Sequence, residues 1–361
     1  MRPLIDAHLD LAWSALSFNR DLTMSVAEVR RLEREMKDEP ARGRNTLTLP
    51  ELRRARIPVC VATLLARSGA DQPRVSGTAR TDLDYVSPAV AYSHAHGQAA
   101  YYRLMEDQGW LRFITSSTEL NAHWQDSTQA FDSTPLGIIL SMEGADPIIA
   151  PSQLEAWWQL GLRALGPVHY GQGRYGHGTA TDGPLSPVGR DLLREMMRIG
   201  MILDVTHLSD QSFAEALDLY SGPILASHHN CRALVPGDRQ LADAQIQRLI
   251  ERDAVIGTAF DAWMMYPGWE RGVTQPTVVG IEAAADHIDH ICQMAGQTRH
   301  CAIGTDLDGG YGTEQTPHDL DTITDIHRLE SILAGRGYSP ADIDGIFFGN
   351  WLRFFLQALP S

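Results

Sequence analysis

The sequence predicts a (β/α)8 barrel built as a single domain over residues 1–361. Three observations carry that expectation. Eight short apolar runs recur along the chain, most are followed by a helical pattern, and no strand-to-helix turn carries the glycine-rich phosphate fingerprint of an open doubly wound sheet. Near-continuous apolar runs suit strands covered on both faces of a parallel sheet.

The runs are residues 4–9, 57–65, 137–142, 162–169, 201–206, 223–227, 254–260 and 301–305. Helices are expected at 152–160, 187–199, 209–219, 243–252, 280–294, 321–335 and 340–359. Ser209 stands where an N-cap belongs. Gly171-Gln-Gly173 follows the fourth run but lacks a third glycine and a later acidic residue. Two connections are long. Residues 11–56 contain a charged helix at 25–37, expected to be a solvated face. Residues 66–87 are rich in Gly, Ser, Asp and Arg and read as a loop beside the barrel mouth.

Composition excludes several classes. The chain is 43% hydrophobic and 21% charged, which is ordinary for a globular protein. A net charge of −15 without a long basic run disfavours nucleic-acid binding. No apolar run approaches the about 20 residues of a membrane helix, so no membrane association is expected. Neither a signal peptide nor a lipid-anchor tail is expected. Cys60, Cys231, Cys292 and Cys301 form no C-x-x-C pair and read as reduced thiols of a cytoplasmic protein.

The chemistry begins at His8-Leu9-Asp10. Residues two apart on a strand face the same way, so this pair can grip one metal ion. Alone the signal is weak; position strengthens it. Glu143, His207 and His228 follow the third, fifth and sixth runs, on the C-terminal rim where barrel enzymes place catalytic groups. This mixture of imidazoles and carboxylates suits zinc, with manganese or cobalt as substitutes. Five groups exceed the need of one tetrahedral ion. With Glu143 bridging, each of two ions has three protein ligands and can share a water, the arrangement that makes hydroxide near neutral pH. Plainer roles compete: a capping or core histidine at His207, a salt bridge at Glu143, and His229 as an alternative to His228. Asp306 follows the eighth run, where a carboxylate beside an activated water can take its proton and return it to a leaving amine. Asp308 shares its alternation phase and is the rival, or belongs to a plain Asp-Gly turn. Gly309 and Gly310 suggest a close backbone approach or a tight turn.

These residues resemble the membrane (renal-type) dipeptidase family of the amidohydrolase superfamily, over essentially the whole chain. The matching stretches are Ile5-Asp-Ala-His-Leu-Asp10, Met142-Glu-Gly144, Leu203-Asp-Val-Thr-His-Leu-Ser209, Ala226-Ser-His-His-Asn-Cys-Arg-Ala233 and Ile303-Gly-Thr-Asp-Leu-Asp-Gly309. The resemblance implies a zinc-dependent dipeptidase that cleaves L,L dipeptides with a metal-bridging hydroxide; the family often tolerates a D-residue in second place, which makes L,D dipeptides a further candidate. It implies two zinc ions held by His8, Asp10, Glu143, His207 and His228, with Glu143 shared, and so favours His228 over His229. It also implies that His169 contacts substrate and polarises the scissile carbonyl. Arg239, rather than Arg232, is to bind the terminal carboxylate, and Asp306 to handle the proton. Segments 170–177, 260–269 and 309–317 depart from the family pattern and are expected to form pocket walls. Two rivals remain. One is a related binuclear amidohydrolase acting on another amide, a lactone, an ester or a phosphotriester; a lysine metal bridge would favour some of these, but the third and fourth runs end in Glu143 and His169. The other is a barrel that binds metal or peptide without turnover, against which a full ligand set plus Asp306 argues. A homodimer is expected by analogy alone.

Overall fold

The structure, a computed structural model, describes residues 1–68 and 84–361. Its strands are β1 (Ile5–Leu9), β2 (Val59–Leu65), β3 (Leu111–Phe113), β4 (Leu136–Glu143), β5 (Leu162–Gly166), β6 (Ile202–Asp204), β7 (Ile224–Ala226), β8 (Val255–Thr258) and β9 (Cys301–Ile303). Neighbours run β2-β1-β9-β8-β7-β6-β5-β4, and β4 pairs back onto β2, closing a parallel ring of eight. The closing register is regular from Val59 opposite Gly137 to Leu65 opposite Glu143. The ring is a (β/α)8 barrel, and its eight strands are the eight apolar runs of the sequence. β3 lies outside it, paired to β4. Its three residues, with Arg112 exposed between buried Leu111 and Phe113, are too short to stand out as a run.

Burial on both faces explains why the strands read as continuous apolar runs. Every residue of β1, β2 and β4 is buried. One apolar cluster draws residues from all eight barrel strands, among them Ile5, Val59, Ile139 and Ala302. The same cluster holds Trp351, Phe354 and Phe355 of the C-terminal helix Asn350–Ala358, so that helix plugs the end opposite the rim. Trp351 donates its indole N–H to Ile303 O at 2.8 Å. A larger cluster joins the other strand face to the surrounding helices. The C-terminal segment expected as one helix over 340–359 is three pieces: Pro340–Asp344, a π-helical turn Gly345–Gly349, and Asn350–Ala358. Glycines at both ends of the wide turn weaken the regular helix there. Asn350 anchors the next piece, donating to Thr298 O and Cys301 O at 2.7 Å.

The charged helix is Val26–Glu33, closed by a reciprocal Ser25–Glu28 capping box. It is not merely a solvated face. Val26, Val29 and Glu33 are buried, and Glu33 accepts from Arg20 at 2.8 and 3.0 Å and from Arg42 at 2.9 Å. Two long helices were not anticipated: Pro88–Asp107 and Ser117–Ala130, both capped by serine side chains. The loop expected over 66–87 lies largely outside the described residues. At its two ends Tyr85 N donates to Arg67 O at 2.7 Å. The four cysteines are buried free thiols. Among the described residues no helix is long and apolar enough to cross a membrane.

Candidate active site

The C-terminal ends of the strands carry polar side chains into one space. His8 lies in β1 and Asp10 follows it; Glu143 ends β4; His169 follows β5; His207 follows β6; His228 follows β7; Asp306 follows β9. His8, Asp10, Glu143, His207 and His228 are all buried. Glu143 Oε2 faces His8 Nε2 at 3.5 Å, and His8 Nε2 lies 3.7 Å from Asp10 Oδ2. Glu143 Oε1 faces the other way, 3.0 Å from His207 Nε2 and 3.2 Å from His228 Nε2. The donor atoms thus form two groups that could each hold a metal ion: His8, Asp10 and Glu143, and Glu143, His207 and His228. Glu143 belongs to both. Asp306 completes a third grouping with His8 and His228, its oxygens 3.8 Å and 4.0 Å from their Nε2 atoms. His229 enters none of these groups; its backbone N–H donates to Gly257 O at 2.7 Å.

The donor chemistry fits divalent cations. Nε2 of His8 and of His228 is buried without a hydrogen-bond partner among the described residues. Such orphaned atoms are costly unless something else meets them. Buried carboxylates have the same difficulty. Burial pushes the Glu143 and Asp306 carboxyls up from their ordinary range, and Asp306 well up. Burial also drives His169, His207 and His228 well below the usual imidazole value. At His8 burial works the same way, but the adjoining Glu143 and Asp10 carboxylates overcome it and raise the imidazole well above its usual value. A bound cation would offset the cost for the carboxylates and would give the unpartnered imidazole nitrogens something to meet.

Hydroxyls hold these side chains in place, and sequence reading did not single them out. Thr63, in β2, donates to Asp10 Oδ1. Thr179 Oγ1 lies 3.0 Å from His207 Nδ1, and Ser227 Oγ lies 2.9 Å from His228 Nδ1. Only Ser227, adjacent to His228, stood near a marked residue. Of the seven non-glycine residues with positive φ among the described residues, three stand at or beside this rim: His207, Asp306 and Asp308, with φ of 69°, 60° and 60°. Non-glycine residues in the left-handed region are uncommon and gather at functional sites. A β-carbon at Gly309 would collide with Asp306 Oδ1, which accounts for glycine there.

Asp306 and Asp308 part company. Asp308 Oδ1 accepts from Thr46 N at 2.7 Å and from Thr46 Oγ1 at 2.8 Å, and Arg20 Nη1 lies 3.9 Å from Oδ2. It pins the 45–47 segment and joins none of the groups that could hold a metal ion. The two arginines also separate. Arg232 is engaged by Asp210 through two bonds of 2.7 and 2.8 Å. Arg239 is 1% exposed, donates from Nη2 to His228 O at 3.0 Å, and leaves Nη1 without a partner among the described residues. A buried guanidinium with an open N–H invites an anion. Around this centre, Tyr170 packs 4.9 Å from the His169 ring and 5.0 Å from that of His207. Asp261 accepts from Gln315 Nε2 at 3.0 and 2.9 Å, tying together two of the segments expected as pocket walls.

The fold has known counterparts. A crystal structure described as dipeptidase AC, a metallo peptidase, superposes with a TM-score of 0.79 over 100% of this chain and 99% of that one, at 22% identity. A metallo peptidase from Rhodobacter sphaeroides, solved with a phosphinate mimic of the dipeptide L-Ala-D-Ala, gives 0.77 over 99% of both chains, also at 22% identity. At that identity the likeness speaks for the fold. Among curated relatives, dipeptidase tcpJ of Claviceps purpurea (strain 20.1) is 27% identical over 271 residues, 73% of this chain and 60% of that protein. The chain therefore spans about three fifths of that relative's length. The match to a family model described as membrane dipeptidase, peptidase family M19, runs over residues 1–359 and contains every rim residue named above. A barrel with this rim, matched over nearly all its length, belongs to the membrane dipeptidase family, peptidase family M19.

Proposed function

We propose that the protein is a dipeptidase dependent on two divalent metal ions, zinc by preference, with manganese or cobalt as substitutes. The observation that carries this reading is the division of Glu143, whose two oxygens face separate donor groups that share only this residue. His8 and Asp10 with Glu143 would hold one ion, and Glu143 with His207 and His228 the other. When bound, such a pair supplies Lewis acidity at the scissile carbonyl and makes water nucleophilic near neutral pH.

The chain's own residues do the rest. Arg239 offers its open Nη1 to the substrate's terminal carboxylate, which limits the length of peptide that fits. His169, its Nε2 3.6 Å from Glu143 Oε1, borders the place where the carbonyl oxygen gains charge. Asp306 takes the proton of the attacking water on its carboxylate and returns it to the departing amine. Its backbone φ is 60°, and its oxygens lie 3.8 Å from His8 Nε2 and 4.0 Å from His228 Nε2, which supports a place beside the proposed ions. Family membership supports dipeptides as the substrate class. The L-Ala-D-Ala mimic held by the Rhodobacter sphaeroides protein supports extending it to L,D dipeptides.

The clamp has a direct test. Arg239→Ala is expected to lower kcat/KM for dipeptides by about 10- to 100-fold, the worth of a charge-assisted hydrogen bond, chiefly through KM. Dipeptide amides, which lack the carboxylate, should lose far less. Equal losses on both substrates would remove Arg239 from this role.

A further inference from the structure

Three rim histidines bring Nε2 towards one oxygen, Glu143 Oε1: His207 at 3.0 Å, His228 at 3.2 Å and His169 at 3.6 Å. Their other nitrogens meet different chemistry. His207 Nδ1 faces the Thr179 hydroxyl, and His228 Nδ1 faces the Ser227 hydroxyl. A hydroxyl can accept a hydrogen bond, so both rings can carry their proton on Nδ1 and keep the Nε2 lone pair for a cation. His169 Nδ1 instead lies 3.3 Å from Arg67 Nη1. A guanidinium has no lone pair to offer and keeps its protons in proteins. That contact can form only with Arg67 donating and Nδ1 accepting. The lone pair is then on Nδ1, and the ring proton is on Nε2.

We propose that Arg67 is a positioning residue that locks His169 in the Nε2–H tautomer. The lock keeps His169 out of the metal ligand set, although its Nε2 lies within 4 Å of the same glutamate oxygen as the two ligand histidines. It also turns the ring into an N–H donor pointed into the site, the form that can stabilise a carbonyl oxygen as it gains charge. The identity of that oxygen rests on the dipeptidase reading above; the tautomer does not.

Arg67 is held for this task from several sides. Its Nη2 pairs with Asp84 Oδ2 at 2.7 Å, and its carbonyl accepts from Tyr85 N. The next residue, Ser68, donates its backbone N–H to buried Asp146 Oδ2 at 3.0 Å. The Arg67 guanidinium carbon lies 5.9 Å from the Tyr170 ring centre, and Tyr170 packs on His169.

The test reads the tautomer directly. Protein labelled with 15N-histidine and loaded with zinc is examined by long-range 1H–15N correlation of the imidazole rings, with His169 assigned by its loss in His169→Gln. The expected wild-type pattern is Nε2–H at His169. In Arg67→Met that pattern should give way to Nδ1–H or to a mixture; Arg67→Lys, which keeps an N–H donor, should restore it. In parallel, Arg67→Met should lower kcat by about 10- to 100-fold, with KM nearly unchanged and most of the loss recovered by Arg67→Lys. An Nδ1–H tautomer in the wild type, or an unaltered Nε2–H pattern in Arg67→Met, overturns the proposal. The wild-type spectrum decides the tautomer even if Arg67→Met folds poorly. A zinc-loaded wild type that shows Nε2–H yet cleaves no dipeptide upholds the lock and contradicts the dipeptidase reading. Cleavage with Nδ1–H contradicts the lock alone.

Discussion

At the scale of single residues, Glu143 has the largest share of the account. Its two oxygens face opposite donor groups, so Glu143→Gln removes the shared anionic ligand without changing shape. The expected outcome is a fall in bound zinc from two ions per chain to one or none, with kcat/KM down by about a thousandfold or more, as loss of metal-activated water would bring. Two bound ions and near-normal turnover in that variant would contradict the bridging role. Sequence reading singled out Glu143, His8 and Asp10 as candidates because strand ends on a barrel rim are where such groups belong. It could not part Asp306 from Asp308, and the reason is physical. Two-residue alternation holds only within a strand, and β9 stops at Ile303. Beyond it both aspartates take left-handed backbone, and contacts distant in sequence decide their directions. Asp308→Ala is expected to cost about 1–3 kcal/mol of stability through the unpaired Thr46 and Leu47 donors, with zinc content unchanged. Intact stability together with lost turnover would instead make Asp308 a participant in the chemistry.

At the scale of elements, the barrel strands were legible because burial on both faces leaves them an unbroken apolar signature. The helices between β2 and β4 were not. Pro88–Asp107 buries mainly alanines, a glutamine and a tyrosine, so its inner face carries little of the large-apolar periodicity that marks a helix. The helix Val26–Glu33 was visible, but its role was not. Its charges suggested solvent, whereas Glu33 is buried against Arg20 and Arg42. Burial opposes the Glu33 charge; the bonds from Arg20, Arg42 and Gly43 N outweigh it and hold the carboxyl below its ordinary range. A lowered folded-state value contributes stability above the unfolded value of about 4.3, and that contribution fades as pH falls through the folded value. Glu33→Gln should therefore be less stable than wild type in urea unfolding at pH 7, with the gap narrowing below about pH 4. A gap that stays constant down to pH 3 would show that the charge contributes nothing.

At the scale of the whole molecule, the rim gathers side chains from positions 8 to 306, so the proposed centre exists only when the ring is closed. The hydroxyls of Thr63, Thr179 and Ser227 were hidden in sequence for the same reason: apart from Ser227, each is far along the chain from the group it holds. Metal bound only by the folded chain must stabilise it, by about 2.7 kcal/mol at a free concentration one hundred times Kd. The most direct measurement takes one preparation stripped with a chelator and refilled with zinc, and follows metal per chain, melting temperature and hydrolysis of L,L and L,D dipeptides together. The expected result is that stripping abolishes hydrolysis and lowers the melting temperature. Both should return as zinc rises to two ions per chain. Full hydrolysis by the stripped protein, or activity that saturates without a second ion, would contradict the two-metal account.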